Sequence, residues 1–255
     1  MRRRVIGDGM QEDINTNPAH EAPDFDSLLS DLFGLNVRGA KTLGDLFARP
    51  KEVFESARVY DWRSKYTPTL RLAFSILTVF SLLSFFWAAE DGVLYQSLLT
   101  QFSGALSNLP DGITINDMVD RMFAGYNFTY PFIYMLVHSL VGSALLVWGK
   151  NTPWVARIRL YFCVASLGVA IAVASVVIMP LIDEGLFLAY SMAGMTISVL
   201  AYAITYARGM SDRYSSIGLL GRSALVALIV TVTDIVVAIL AGTVAGYWAK
   251  TQFGI

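Results

Sequence analysis

Five apolar runs dominate this sequence: residues 70–89, 130–148, 160–182, 186–206 and 223–248. Each is close to the roughly 20 residues a helix needs to cross the hydrocarbon of a bilayer. Inside hydrocarbon every backbone N–H and C=O must be bonded within the protein, and a continuous apolar run of this length meets that demand as a helix. The runs therefore predict an all-α polytopic membrane bundle of five transmembrane helices. N-terminal cytoplasmic amphipathic helices precede the bundle, and a helical outer loop over 90–128 interrupts it. Composition agrees, since the chain is 55% hydrophobic and 15% charged, against about 25% charge in a soluble domain. A net charge of −1 argues against a nucleic-acid binder. Cys163 is the only cysteine, which excludes an internal disulfide and a Cys-rich zinc site; its apolar run predicts a buried, inert thiol.

Residues 1–23 are polar and acidic and read as a disordered tail. Residues 24–69 form the cytoplasmic, interfacial segment. Its first part places Phe25, Leu28, Leu29, Leu32 and Phe33 on one helical face. Pro50 suits the first position of a second helix, with Val53, Phe54, Ala57 and Tyr60 on one side. Arg58, Trp62, Arg63, Lys65 and Tyr66 then stand where interfacial cations and aromatics are expected, so Pro50 to Tyr66 reads as a membrane-surface anchor. The opening MRRR is followed by VIGDGMQEDINTN, which is no apolar signal core, and the N-terminus is expected to stay in the cytoplasm.

Charge placement orients the spans. Residues 1–71, 149–159 and 207–222 together hold 17 of the 19 Lys and Arg, and a cytoplasmic excess of these residues sets topology. The prediction is N-terminus inside, C-terminus outside. Trp87, Tyr126, Tyr130, Tyr247 and Trp248 fall at the outer boundary, and Trp62, Trp148, Trp154 and Tyr206 at the inner one. In the outer loop Leu94, Leu98, Leu99, Phe102, Leu106 and Leu109 recur at helical spacing. Thr114 followed by Asp117 reads as a capping box ahead of a second loop helix.

Asp234 is the sharpest residue within the spans. It lies mid-run in LIVTVTDIVVAIL, where a carboxylate costs a few kcal/mol and marks a candidate functional site. Thr231, Ala238, Ala241 and Ala245 share its side of the helix. His138 lies at similar depth in the second run and can pair with Asp234. Two readings stand side by side: a proton-responsive or substrate-binding pair, and a register-fixing pair bonded to Ser and Thr hydroxyls. Gly242 and Gly246 form a GxxxG pattern that permits close helix approach. HExxH, GxSxG, a P-loop and CxxC are all missing from the sequence, and a single histidine in the spans argues against a metal site. No catalytic residue, metal or cofactor is therefore assigned. The expected partners are the lipid bilayer, a cytoplasmic protein docking on residues 24–69, and a second copy of the chain.

Thr42-Leu43, Asp45-Leu46, Arg49-Pro50, Val53, Arg63, Lys65-Tyr66 and Pro68 together resemble the juxtamembrane segment of a bacterial membrane family of unknown function, in which a TL..LL.RP element precedes a basic-Tyr-Pro step into the first span. The segment is similar, more loosely, to that of the bacterial Yip-domain proteins, which also have five spans and a cytoplasmic N-terminus. The first family often carries an N-terminal CxxC zinc ribbon; this chain has no cysteine there. The resemblance implies a multi-pass protein of the bacterial inner membrane, and the Yip likeness a non-enzymatic scaffold or adaptor. The alternative, carried by Asp234 and His138, is a small-solute or proton-coupled transporter.

Overall fold

The structure, a computed structural model, describes residues 37–62, 65–87, 92, 95–96, 99–100 and 112–254. The predicted tail, the face from Phe25 to Phe33, Arg63 and most of the outer loop lie outside the described residues. The described chain is helical and contains no strand. Its helices are α1 (Val37–Ala48), α2 (Pro50–Val59), α3 (Thr69–Trp87), α4 (Ile115–Ala144), α5 (Trp154–Ile178), α6 (Phe187–Gly209) and α7 (Ser216–Gln252), with short 3-10 turns at Leu146–Trp148, Met179–Leu181 and Glu184–Leu186. Among the described residues three helices are long and apolar enough to cross a membrane: α5 with its extension to Leu181, α6 and α7. α3 has a shorter apolar stretch, Thr69–Leu83.

α4 departs from expectation at both ends. The Thr114–Asp117 capping box forms: the Asp117 amide donates to the Thr114 hydroxyl at 3.1 Å, and the Thr114 amide donates to Asp117 Oδ2 at 2.9 Å. It opens no separate loop helix, however, but a continuous 30-residue helix. The helix runs through Pro131, whose missing amide leaves one carbonyl of the preceding turn without its usual partner. It then stops at Ala144, earlier than the predicted Trp148, because Leu145 is extended (φ −71°, ψ 120°) and turns the chain inward. Trp148 is buried between Phe54 and Tyr206, with ring centroids at 6.2 and 5.1 Å.

α5 is central. It packs on α3, α4, α6 and α2, and Leu160 through Val169 are buried on every side, Cys163 among them. A helix enclosed all round needs no polar face, which is why this stretch shows no amphipathic period. From Ala170 onward α5 becomes progressively exposed. The bundle is thus tight at one end, here termed the floor, and looser at the other.

The floor is built by the segment expected to lie on the membrane surface. Leu46, Val53, Phe54 and Ala57 are buried against the bundle, and so are Trp62 and Tyr66. The last carbonyls of α1 lack helical partners, and the Arg208 guanidinium donates to two of them, Phe47 O at 2.6 Å and Ala48 O at 2.7 Å. Arg213 pairs with Glu55 at 3.0 Å, and Lys51 with Asp212. Glu52 accepts from both Lys65 and the Tyr66 hydroxyl. Arg58 reaches Met210 Sδ at 3.6 Å. The Val147 carbonyl collects three donors, Tyr206 Oη, Tyr214 Oη and Arg222 Nη1, at 3.0, 2.9 and 3.2 Å. Gly209 permits the approach of α2, since a Cβ there would stand 2.8 Å from the Phe54 ring.

Two expectations follow. Gly209→Val forces Phe54 out of place and costs about 1–3 kcal/mol; hydrogen exchange then accelerates across residues 50–59 while α5 amides keep their protection. The hydrogen bond from Lys65 holds the Glu52 carboxyl below its ordinary 4.5, and that from Lys51 holds Asp212 below 3.8. A depressed folded value adds stability that is fully present above the unfolded value and lost as pH falls through the folded one. Protection of α1 and α2 is therefore level above pH about 5 and declines below about 4, as pH-resolved hydrogen exchange at fixed ionic strength will register.

Candidate functional site

Asp234 stands at the midpoint of α7, 18 residues from either end. The face of α7 turned into the bundle is Val226, Val230, Thr233, Val237, Ala241, Ala245 and Ala249, all buried. Asp234 flanks this stripe with its side chain 30% exposed. Ala241 and Ala245 lie inward as expected, whereas Ala238 is exposed, since it falls on the far side of the 237–241 contact line.

α4 packs along α7 and brings His138 to Asp234, with Nε2 3.2 Å from Oδ1. The distance is that of an ion pair, but the alignment is not that of a hydrogen bond, so the contact is close and still able to tighten. His138 itself is 0% exposed. Its other nitrogen, Nδ1, is 3.0 Å from the Tyr161 hydroxyl of α5. With the carboxylate facing Nε2, the neutral ring carries its proton there and accepts from Tyr161 at Nδ1. A second proton turns Nδ1 into a donor, and the same hydroxyl can rotate to accept. Tyr134, one turn before His138, stacks on the imidazole with centroids 3.8 Å apart. The second carboxylate oxygen, Oδ2, accepts from the Tyr202 hydroxyl of α6 at 2.8 Å. Four helices thus meet at one carboxylate and one imidazole.

Tyr202 reaches Asp234 because Gly168 leaves the space. A Cβ on Gly168 would overlap the Tyr202 ring and hydroxyl. Gly142 similarly admits Tyr161, and Gly125 admits Trp248 and Ala245. Away from the floor, the close helix approaches at glycines lie at these three. Gly242 meets nothing within 4 Å, and Gly246 only Met122 Cε at 3.7 Å. The GxxxG pair therefore stands away from the tightest contacts inside the chain.

Asp234 also lines a half-open cavity of about 220 Å³ bounded by Phe80, Tyr130, Tyr134, Gly168, Tyr202 and Thr231. Of its lining residues, Tyr134 and Thr231 have buried hydroxyls with no hydrogen-bond partner among the described residues. A second cavity, of about 280 Å³, adjoins it across Phe80, Ala172, Met195 and Ser198 and extends towards Met179 and Phe187 at the loose end. Among the described residues no cluster of His, Cys, Asp and Glu could hold a metal ion.

The sequence singled out Asp234 and His138, and the structure brings them together. It did not single out Tyr134, Tyr161 or Tyr202. Tyr134 and Tyr202 stand four residues from an end of their runs and Tyr161 one residue from an end, positions where interfacial aromatics are ordinary, so no local signal marked them. Of the surface anchor, Pro50, Trp62 and Tyr66 are buried in the floor, Arg58 meets Met210 and Lys65 meets Glu52.

No protein-family model matches the chain, and neither the curated proteins nor the solved structures give a match.

The two sets of glycines are expected to separate on substitution. Gly168→Ala displaces Tyr202 from Asp234 and lowers stability by about 2 kcal/mol or more, whereas Gly242→Ala stays within about 0.5 kcal/mol of the parent. Unfolding of the purified variants in one detergent measures both.

Proposed function

We propose that α3 to α7 are five membrane spans of a bacterial inner-membrane protein, with α1, α2 and the floor on the cytoplasmic side and the C-terminus outside. Lys150, Arg157, Arg159, Arg208, Arg213 and Arg222 all belong to the short connections or helix ends at the floor, which supports that orientation. A Yip-like affinity is part of this proposal and rests on residues 42–68 alone.

The activity we propose is proton-coupled movement of a small solute past the His138–Asp234 pair. The observation that carries it is a mid-helix carboxylate that is paired on one side and opens onto a cavity on the other. Carboxylate with neutral imidazole carries one negative charge, and one added proton gives a neutral ion pair. The site thus changes its net charge by one unit in a low-dielectric setting, where such a change weighs heavily. The Tyr161 hydroxyl can satisfy Nδ1 in either form. The adaptor reading draws less support from α2, whose Val53, Phe54 and Ala57 are used within the protein itself; the Phe25 to Phe33 face lies outside the described residues.

Proteoliposomes test the proposal. With a panel of small amines, amino acids and carboxylates, an imposed pH gradient is expected to drive flux of at least one. Asp234→Asn reduces that flux to the level of protein-free vesicles. Tyr202→Phe lowers it about ten-fold or more, as loss of a hydrogen bond to a charged group implies. His138→Gln leaves exchange but uncouples it from the gradient. Flux equal in the parent and Asp234→Asn, or no gradient-driven flux for any class, contradicts the proposal.

A further inference from the structure

Resting on the binding site just described, we infer that the Asp234 cavity takes a small organic ammonium ion. Two features of the cavity point to that chemistry. Among the described residues its one formally charged lining residue is a carboxylate, and no Lys or Arg lines it. Its walls include four aromatic rings, Phe80, Tyr130, Tyr134 and Tyr202, and aromatic faces attract cations, more strongly where water is excluded. An anion would set a second negative charge beside Asp234 where no described lining residue is a cation.

The space fits as well. About 220 Å³ holds an ammonium group with a few carbons, and the adjoining apolar cavity gives an alkyl substituent room on the side away from Asp234. The polar groups facing the carboxylate are few. α4 supplies His138, Tyr130 and Tyr134, α5 supplies Tyr161, α6 supplies Tyr202, and α3 supplies only Leu77 and Phe80. An imidazolium at His138 and an ammonium in the cavity compete for the same carboxylate.

The same chemistry comes from a free amine or from the primary ammonium of a phosphatidylethanolamine headgroup, and calorimetry in nanodiscs separates them. The probe is n-butylammonium at pH 7, with 1-pentanol as its neutral counterpart, in discs of phosphatidylglycerol alone. The parent is expected to bind n-butylammonium saturably and about ten-fold or more tightly than 1-pentanol, a comparison that needs no variant. Phe80→Leu removes one aromatic face from the wall and keeps its apolar bulk, and binding weakens about three- to ten-fold. Asp234→Asn abolishes it. Replacing half the lipid by phosphatidylethanolamine leaves the affinity unchanged if the ligand is a free amine, and weakens it by competition if the headgroup is the ligand. Absent binding, or equal affinity for 1-pentanol, overturns the inference. If gradient-driven flux of another solute class still requires Asp234, only the ligand class has failed; if flux ignores Asp234→Asn, the proposed function has failed too.

Discussion

Holding a carboxylate at the midpoint of a 37-residue apolar helix costs about 2.5–3.5 kcal/mol on membrane-insertion scales, and the centre of this bundle is arranged around that constraint. α4 comes alongside α7 to supply His138, α6 supplies the Tyr202 hydroxyl, and α5 supplies Tyr161 behind the imidazole. Loss of the Tyr161 or Tyr202 hydrogen bond would leave a partner in the site unpaired, which costs more than the bond itself is worth. Register between four helices is thereby set at one place. The small residues follow from it: Gly168 is needed because Tyr202 must cross α5, and Gly142 because Tyr161 must reach across to α4.

Where the constraint is met, the packing loosens. Towards the floor α5 is enclosed on all sides, and the connections between helices are fastened to α1 and α2 by the Arg208 fork, by two ion pairs and by Phe54 against Gly209. Beyond Val169 the enclosure ends and the two cavities begin. A rigid end and an adaptable end on one bundle suit a protein that holds a charge site firmly and lets a ligand approach from one side. Close packing changes between discrete arrangements rather than by continuous deformation, so motion is expected where cavities already exist.

Much of this was legible in the residues and some was not. The helical class follows from runs that hydrocarbon permits in one form only, and the Asp234–His138 contact follows from two polar side chains at matching depth. Tyr134, Tyr161 and Tyr202 escaped because aromatic residues are ordinary in apolar runs, and nothing local separates a tyrosine bonded to a carboxylate from one that merely fills space. The GxxxG spelling drew attention to Gly242 and Gly246, while the glycines that admit neighbours, Gly125, Gly142 and Gly168, stand alone in the sequence. A close approach depends on what lies across the interface, and that is a property of two helices. Trp62, Tyr66 and Trp148 looked like surface anchors for the same reason: an aromatic beside cations suits a membrane boundary, and burial was decided by α1 and α2 folding back over the floor.

The central claim is that Asp234 and His138 act on one another, and a double-mutant cycle measures that directly. Asp234→Asn, His138→Gln and the double variant, unfolded under one lipid or detergent condition, give an interaction energy free of each residue's separate contribution. The account predicts a coupling of about 1 kcal/mol or more, with the double variant less destabilised than the two single losses added together. Strict additivity, within about 0.3 kcal/mol, would contradict it and leave two polar side chains that are neighbours without being partners.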